Sequence, residues 1–337
     1  MLHFLSPLLL MLAVNNVGFP ARAVPVNDQP HFDKTLTGFK YPYPVKTFST
    51  VRQHQTLNMA YMDIMPENPQ GTVVLMHGKN FSGYYFKPLI AALKKQNYRV
   101  IVPDQVGFGK SSKPENFQYS FHGLAELTHA LLKKESVTDF VLVGHSMGGM
   151  LSARYALNYP AQVKKLVLVN PIGLEDYQQL TGYKPIHELY LMERKKTPQD
   201  LKKYQQKNYY DGDWKPEYAK LLVPAIGWLN GPHKGLINYT AAQTADMIYT
   251  QPVVHEFKYL TMPTILIIGQ RDTTALGRGW APETNKGKMG NYKLLGPRIA
   301  AQIPDAELIK MDGLGHMPFI EDPEAFMPLF LKAVAIP

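Results

Sequence analysis

FVLVGHSMGG, residues 140–149, is the stretch that decides the fold of this chain. An apolar run is followed at once by the pattern G-x-S-x-G, and residues 147–158 then have the spacing of a helix. A serine on a tight turn between a buried strand and a helix is exposed above the sheet, where the helix N-terminus favours negative charge. The flanking glycines are expected to let strand and helix approach closely. Ser146 is therefore the candidate nucleophile.

Short apolar runs alternate with helical patterns on both sides of this stretch. Strands are predicted at 47–51, 59–65, 72–76, 99–103, 140–143, 163–169, 264–268 and 307–311. Helices are predicted at 84–96, 119–134, 147–158 and 323–334. Because the central strands are apolar from end to end, they indicate a parallel sheet that is covered on both faces. The alternation predicts an α/β fold with a doubly wound, mostly parallel sheet.

The alternation is interrupted between residues 172 and 255. This segment has helical stretches but no short β-branched runs, and it holds nine of the 20 tyrosines together with Trp214 and Trp228. We interpret it as a helical insertion, with an α/β core formed by residues 24–171 and 256–337. Most of these aromatic side chains are expected to pack within the insertion, and some to line an apolar pocket.

Residues 1–23 have the features of a secretory signal peptide. The apolar run 4–14 is shorter than the ~20 residues that a membrane-spanning helix needs, and Ala21-Arg22-Ala23 matches an A-x-A cleavage site. The residues before the apolar run include no Lys or Arg, although a signal peptide usually begins with a positive charge. A retained N-terminal anchor is therefore the alternative. Cleavage near Ala23 predicts a periplasmic or secreted protein, without stable membrane insertion after the signal is removed.

The composition excludes several classes of function. The chain has no cysteine, which excludes disulfides, thiolate metal sites and a cysteine nucleophile. Its net charge is +9, but the longest basic run, 194–196, has acidic neighbours, so we expect a solvated basic surface and no nucleic-acid partner. Residues 107–111 resemble a phosphate-binding loop, except that Asp104 stands where the first glycine is required. We therefore expect no nucleotide site here. Asp104 is expected to hold this glycine loop, and the alternative is that it lines the active site.

A serine nucleophile needs a base, and the base needs a carboxylate that orients it. Asp272 follows the seventh predicted strand, and His316 follows the eighth. Like Ser146, both lie at the carboxyl ends of strands, where open α/β sheets bind ligands. The chain order Ser146, Asp272, His316 is the one expected for this fold. Glu175 or Asp176, after the preceding strand, is the alternative orienting carboxylate.

The oxyanion of a tetrahedral intermediate needs backbone N–H donors in such a site. One is expected from Met147, the residue after the nucleophile, and the other from the loop after the third predicted strand. Lys79 is the first candidate in this loop, and Asn80 is the alternative. His77 is expected to hold the loop and not to take part in the reaction.

Six segments of the sequence resemble the α/β-hydrolase superfamily. They are HGKNFSGYYF at 77–86, PDQVGFGKSSKP at 103–114, GHSMGG at 144–149, NPIGLEDY at 170–177, GQRD at 269–272 and GHMPFIEDPEAF at 315–326. The branch they resemble has a helical cap between the sixth and seventh core strands, and it includes esterases, carbon–carbon bond hydrolases, epoxide hydrolases, haloalkane dehalogenases and haloperoxidases. The resemblance implies that Ser146, Asp272 and His316 act as nucleophile, acid and base, with the substrate between core and cap. Epoxide hydrolases and dehalogenases carry aspartate at the position of this serine. Ser146 therefore favours attack on an acyl carbon instead.

The sequence therefore predicts a serine hydrolase that cleaves the carboxylic ester of a small, hydrophobic or aromatic substrate through an acyl-enzyme. Neither a metal ion nor an organic cofactor is required. The same triad also fits a carbon–carbon bond hydrolase, a lactonase, an amidase or a perhydrolase. A different class is a non-catalytic binding protein on the hydrolase scaffold, against which the intact nucleophile, acid and base argue. These motifs carry no information on the oligomeric state.

Overall fold

The computed structural model describes residues 29–335, and the predicted signal peptide at 1–23 lies outside them. Its eight strands are β1 (Val45–Arg52), β2 (Gln55–Ile64), β3 (Gly71–Met76), β4 (Tyr98–Pro103), β5 (Phe140–His145), β6 (Val163–Val169), β7 (Thr264–Gly269) and β8 (Ala306–Met311). They form one sheet in the order β1-β2-β4-β3-β5-β6-β7-β8. β2 pairs antiparallel with β1 and with β4, and the other neighbouring pairs are parallel. The predicted mostly parallel sheet is confirmed.

The helices fall into three groups along the chain. Before the sixth strand come α1 (Lys87–Lys95), α2 (Phe121–Lys134) and α3 (Met147–Asn158). Between β6 and β7 lie α4 (Tyr177–Leu180), α5 (Ile186–Arg194), α6 (Pro198–Asn208), α7 (Pro216–Asn230) and α8 (Lys234–Thr250). After β7 come α9 (Glu283–Lys286), α10 (Tyr292–Ala300), α11 (Pro318–Glu321) and α12 (Pro323–Val334). Within residues 29–335, no helix is both long and apolar enough to cross a membrane.

The sheet separates two apolar cores, which is why its central strands are apolar from end to end. Every residue of β5 is buried. Phe140 and Leu142 belong to a core that also contains side chains of α2 and α3. Val141 and Val143 point the other way, into a core shared with α1 and α12. Because successive side chains of a strand face opposite sides, each face of β5 is covered by a different layer of helices.

The group α4–α8 is the helical insertion, and it lies between the sixth and seventh strands as the resemblance implied. The doubly wound α/β fold with this insertion is therefore confirmed. One core helix, α10, was missed because Gly296 and Pro297 interrupt its helical pattern. Its presence follows from the parallel pairing of β7 with β8, since parallel neighbours need a long crossover connection.

Residues 30–41, which precede β1, contact both the insertion and the core. The N–H of Phe32 donates to the carbonyl oxygen of Gly227 in α7 at 3.0 Å. Further along the same segment, Lys110 Nζ donates to the carbonyl oxygen of Leu36 at 2.7 Å. Since Lys110 belongs to the loop after β4, this segment connects α7 to the core.

Candidate active site

Ser146 occupies the turn between β5 and α3, and its backbone is strained. Its φ of 58° and ψ of −124° lie in a region that residues other than glycine rarely adopt. Packing of α3 against the sheet holds this turn in place, and a Cβ atom on Gly148 would lie only 2.0 Å from the carbonyl oxygen of Met76 in β3. Glycine is thus required where strand and helix approach, and the turn predicted from the motif is present.

The structure brings Ser146, His316 and Asp272 into one hydrogen-bonded chain. His316 Nδ1 lies 2.7 Å from Asp272 Oδ2, and His316 Nε2 lies 3.0 Å from Ser146 Oγ. A carboxylate only accepts, so Nδ1 carries the imidazole proton and Nε2 can accept the serine proton. All three side chains are buried, with Ser146 7% exposed and the other two 1% exposed. This arrangement is suited to activating a serine for nucleophilic attack.

The three side chains meet because they follow the carboxyl ends of parallel strands in one sheet. Ser146 follows β5, Asp272 follows β7 and His316 follows β8. Asn170 follows β6, between them, and the sequence reasoning missed it. Its Nδ2 donates to Asp272 Oδ2 at 2.9 Å, and its Oδ1 accepts from the N–H of Gly269 at 3.0 Å. An amide directly after an apolar strand was the signal for this residue, which positions the carboxylate.

The alternative carboxylates, Glu175 and Asp176, make other contacts. Glu175 accepts from the N–H of Gly290 at 2.8 Å, and burial raises its pKa. Asp176 is the N-cap of α4 and lies 2.9 Å from the imidazole of His255. Asp272 is the carboxylate that the structure places at the imidazole of the triad. Among residues 29–335, no group of three or more His, Cys, Asp or Glu side chains could hold a metal ion.

The two N–H groups predicted for the oxyanion belong to segments that contact the nucleophile. Met147 is the first residue of α3, where N–H groups have no acceptor within the helix. The loop that holds Lys79 passes so close to Ser146 that a Cβ atom on Gly78 would lie 2.9 Å from the serine Cβ. Neither N–H has a hydrogen-bond acceptor in the part of the chain that the structure describes. Each is therefore free to donate to an oxyanion.

A tyrosine of the insertion, Tyr209, covers the imidazole of the triad. Its ring stacks on His316, with 4.7 Å between centroids and 28° between planes. Its hydroxyl accepts a hydrogen bond from the side chain of Asn80, the alternative oxyanion residue, at 2.8 Å. Tyr204 packs edge-on against it at 5.5 Å. The sequence indicated an aromatic insertion but not this residue, because no local pattern shows which tyrosine reaches the core.

The loop that holds Lys79, residues 77–81, is called the oxyanion loop below. Lys79 and Glu193 place opposite charges where this loop faces α5. Burial lowers the pKa of Lys79 to about 8, although the charge of Glu193 opposes this shift. Burial alone would raise the pKa of Glu193, but Lys79 and Lys196 hold it below its usual value. The Nζ of Lys196 lies 2.6 Å from this carboxylate. The site thus combines an aromatic cover with a charged rim.

His77 and Asp104 hold loops, as the sequence suggested. His77 Nε2 accepts from the N–H of Gln105 at 3.0 Å. The carboxylate of Asp104 accepts from the N–H of Gly83 at 2.7 Å and from that of Lys110 at 2.8 Å. Both side chains are buried. Their bonds fix the loops that follow β3 and β4, which border the site.

A sheet with this strand order, a helical insertion after its sixth strand and a Ser–His–Asp chain at its carboxyl edge define the α/β-hydrolase class. Residues 71–323 match the sequence model of the family described as alpha/beta hydrolase fold, and the chain belongs to this family. The resemblance drawn from the six segments is thereby confirmed. It places the chain among hydrolytic enzymes.

Individual relatives agree with this assignment. The solved structure of a probable hydrolytic enzyme from Pseudomonas aeruginosa PAO1 is similar with a TM-score of 0.90 and 44% identity, covering 91% of this chain and 99% of that one. Lipase 3 of Moraxella sp. (strain TA144) is 29% identical over 255 residues, which are 74% of this chain and 72% of the lipase. Lipase 1 of Psychrobacter immobilis is 28% identical over 279 residues, 79% of each chain. These similarities support hydrolase activity for this chain.

Proposed function

We propose that this chain is a serine hydrolase that cleaves the carboxylic ester of a small, hydrophobic or aromatic substrate. The observation that carries the proposal is the continuous hydrogen-bonded chain from Asp272 through His316 to Ser146. The N–H groups of Met147 and Lys79, which have no acceptor among the described residues, support it. Relatives that are named lipases support the same class of bond.

The roles of the side chains follow from their hydrogen bonds. Ser146 Oγ attacks the acyl carbon while His316 Nε2 takes its proton, and Asp272 stabilises the imidazolium that forms. The N–H groups of Met147 and Lys79 stabilise the oxyanion of the tetrahedral intermediate. The imidazolium then donates the Nε2 proton to the leaving alkoxide, and an acyl-enzyme remains. Water, deprotonated by His316, hydrolyses this ester and restores Ser146.

The aromatic side chains above the triad support an apolar or aromatic group on the substrate. Tyr209 and Phe81 lie with 6.3 Å between their centroids, and Tyr204 beside them is 43% exposed. Such rings offer a large apolar surface, and their hydroxyl groups can bind a polar end. A carbon–carbon bond hydrolase, lactonase, amidase or perhydrolase would use the same triad, so the bond must be identified by turnover.

The test replaces the nucleophile and compares it with a second serine of the same helix. Ser146→Ala is expected to lower kcat/KM on p-nitrophenyl esters by at least about 10³-fold, because the members of a triad act as a unit. Ser152→Ala is the matched control, since Ser152 is buried in α3 outside the triad. A fluorophosphonate should label the wild type and Ser152→Ala but not Ser146→Ala.

Two results would contradict the proposal. Turnover by Ser146→Ala at the wild-type rate would remove the serine from the mechanism. A wild-type protein that neither hydrolyses esters of any acyl length nor reacts with the fluorophosphonate would favour a binding protein on the hydrolase scaffold.

A further inference from the structure

Behind the triad, Tyr85 and His145 link three segments of the site by hydrogen bonds. The N–H of Gly78 lies 2.9 Å from Tyr85 Oη, and the same hydroxyl lies 2.8 Å from His145 Nδ1. On the other side of the ring, His145 Nε2 lies 2.8 Å from the carbonyl oxygen of His316. Gly78 precedes Lys79, and His145 immediately precedes the nucleophile. The chain of bonds therefore joins three segments. They are the oxyanion loop, the turn that holds Ser146 and the loop that holds His316.

The chemistry of its two ends assigns every proton in this chain of bonds. The N–H of Gly78 can only donate, so Tyr85 Oη accepts from it. The carbonyl of His316 can only accept, so His145 carries its proton on Nε2. A neutral imidazole then has a bare Nδ1, which accepts the hydroxyl proton of Tyr85. All three bonds consequently run in one direction, from Gly78 to His316.

Burial makes these bonds difficult to replace. Tyr85 and His145 are each 1% exposed. The ring of Phe319 packs against both, with centroid distances of 5.6 Å to Tyr85 and 5.2 Å to His145. A buried donor or acceptor that loses its partner cannot form a hydrogen bond with water instead. The surrounding segments must therefore move to provide a new partner. Burial also lowers the pKa of His145 well below its usual value, which is consistent with a neutral ring.

We propose that Tyr85 and His145 are positioning residues, which hold the oxyanion loop and the His316 loop in register with Ser146. Neither side chain reaches the acyl carbon in the mechanism above, so both act through the segments that they join. The N–H of Lys79 is set by the position of Gly78, and the imidazole of His316 by the position of its own main chain. This inference rests on the serine-hydrolase function proposed above.

The first test removes one hydroxyl and keeps its neighbour as a control. Tyr85→Phe is expected to lower kcat about 10- to 100-fold with little change in KM, because misplacing catalytic groups by about 1 Å costs this much while the substrate pocket is unaltered. Tyr84→Phe loses the adjacent hydroxyl, which donates to the carbonyl of Leu221 in the insertion and not to this chain of bonds. Its kcat should stay within about threefold of wild type. Equal kcat values for the two variants would overturn the proposal.

The second test asks whether the polarity of residue 145 matters. His145→Gln keeps one acceptor and one donor, whereas His145→Leu keeps neither. The glutamine variant should retain at least about ten times the kcat of the leucine variant, and both should be compared by circular dichroism. Equal losses in two folded variants would overturn the proposal, because packing alone would then explain the residue.

The third test is made on the wild-type protein and does not depend on its activity. Nitrogen-15 NMR of the histidine rings of wild type, with His145 assigned by its absence in His145→Gln, should show His145 neutral and protonated at Nε2 at about pH 7. An Nδ1–H ring, or a charged ring at this pH, would overturn the proposed direction of the bonds. Because this readout is independent of turnover, failure of the proposed hydrogen-bond network is distinguishable from failure of the serine-hydrolase function.

Discussion

The floor and the roof of the candidate active site are built differently. The floor is the set of core residues Ser146, Asp272 and His316, all buried at the ends of parallel strands and joined by hydrogen bonds. The roof is the pair Tyr209 and Tyr204 on the insertion, of which Tyr204 is 43% exposed. Stacking of Tyr209 on His316 and its bond to the oxyanion loop hold the roof to the floor.

This difference suggests a division of labour between the two regions. In the proposed reaction, proton transfer and oxyanion stabilisation need groups that are held in place before the substrate arrives, and the sheet provides that rigidity. Substrate selection needs a surface that differs between enzymes of one fold, and helices inserted between two strands can vary without disturbing the sheet. We therefore expect substitutions in the floor to act on kcat and those in the roof to act on the choice of substrate.

The largest effect that tests this division is expected in the floor, at the orienting carboxylate. Asp272→Asn should lower kcat on p-nitrophenyl esters about 10³-fold or more, because an amide that donates to Nδ1 stabilises the wrong imidazole tautomer. Glu175→Gln is the matched control, since Glu175 was the alternative acid and contacts Gly290 instead. If Glu175→Gln lost more activity than Asp272→Asn, the assignment of the acid would be wrong.

A smaller effect is expected in the roof. Tyr209→Ala uncovers His316 and should lower kcat/KM on aromatic esters about tenfold, mainly through KM. Tyr209→Phe removes only the bond with Asn80 and should cost about two- to fivefold. Tyr183→Ala is the control, because Tyr183 lies on the insertion and is 54% exposed. If Tyr209→Ala lost as much activity as Asp272→Asn, the roof would contribute to the reaction as much as the floor. The proposed division between catalysis and substrate selection would then be wrong.

The smallest effect on turnover is expected at Lys113, where α7 of the insertion meets the core. Its Nζ lies 5.0 Å from the ring of Trp228 in α7 and donates to the carbonyl oxygen of Ser111 at 2.9 Å. Burial lowers the pKa of Lys113 to about 7. Between this value and the higher pKa of an unfolded lysine, the unfolded chain binds more protons than the folded one, so stability rises with pH in that interval.

Lys113→Met should abolish this contribution to the pH dependence. Urea unfolding between about pH 7 and 10 should therefore give a free energy of unfolding that rises more steeply with pH for wild type than for the variant. Lys87→Met, on the exposed end of α1, controls for the loss of one lysine. Parallel pH profiles for wild type and Lys113→Met would refute the lowered pKa.

The floor could be predicted from the sequence because each of its members follows a strand that is recognisable by itself. Once a parallel sheet is inferred, the carboxyl ends of its strands must lie along one edge, and Ser146, Asp272 and His316 come together. The roof could not be predicted in this way. Tyr209 and its partner Asn80 are 129 positions apart, and nothing in either local sequence indicates that they meet.

The sequence by itself determined the α/β fold, the place of the insertion and the candidate nucleophile, because hydrophobic periodicity and the G-x-S-x-G turn are local properties of the chain. Only the tertiary structure decided that Asp272 rather than Glu175 contacts His316, that Tyr209 covers the imidazole and that His145 joins the loops around the site. These outcomes depend on the directions of side chains from elements distant in sequence. Those directions are set when the insertion and the loops pack against the sheet, a step that no local pattern records.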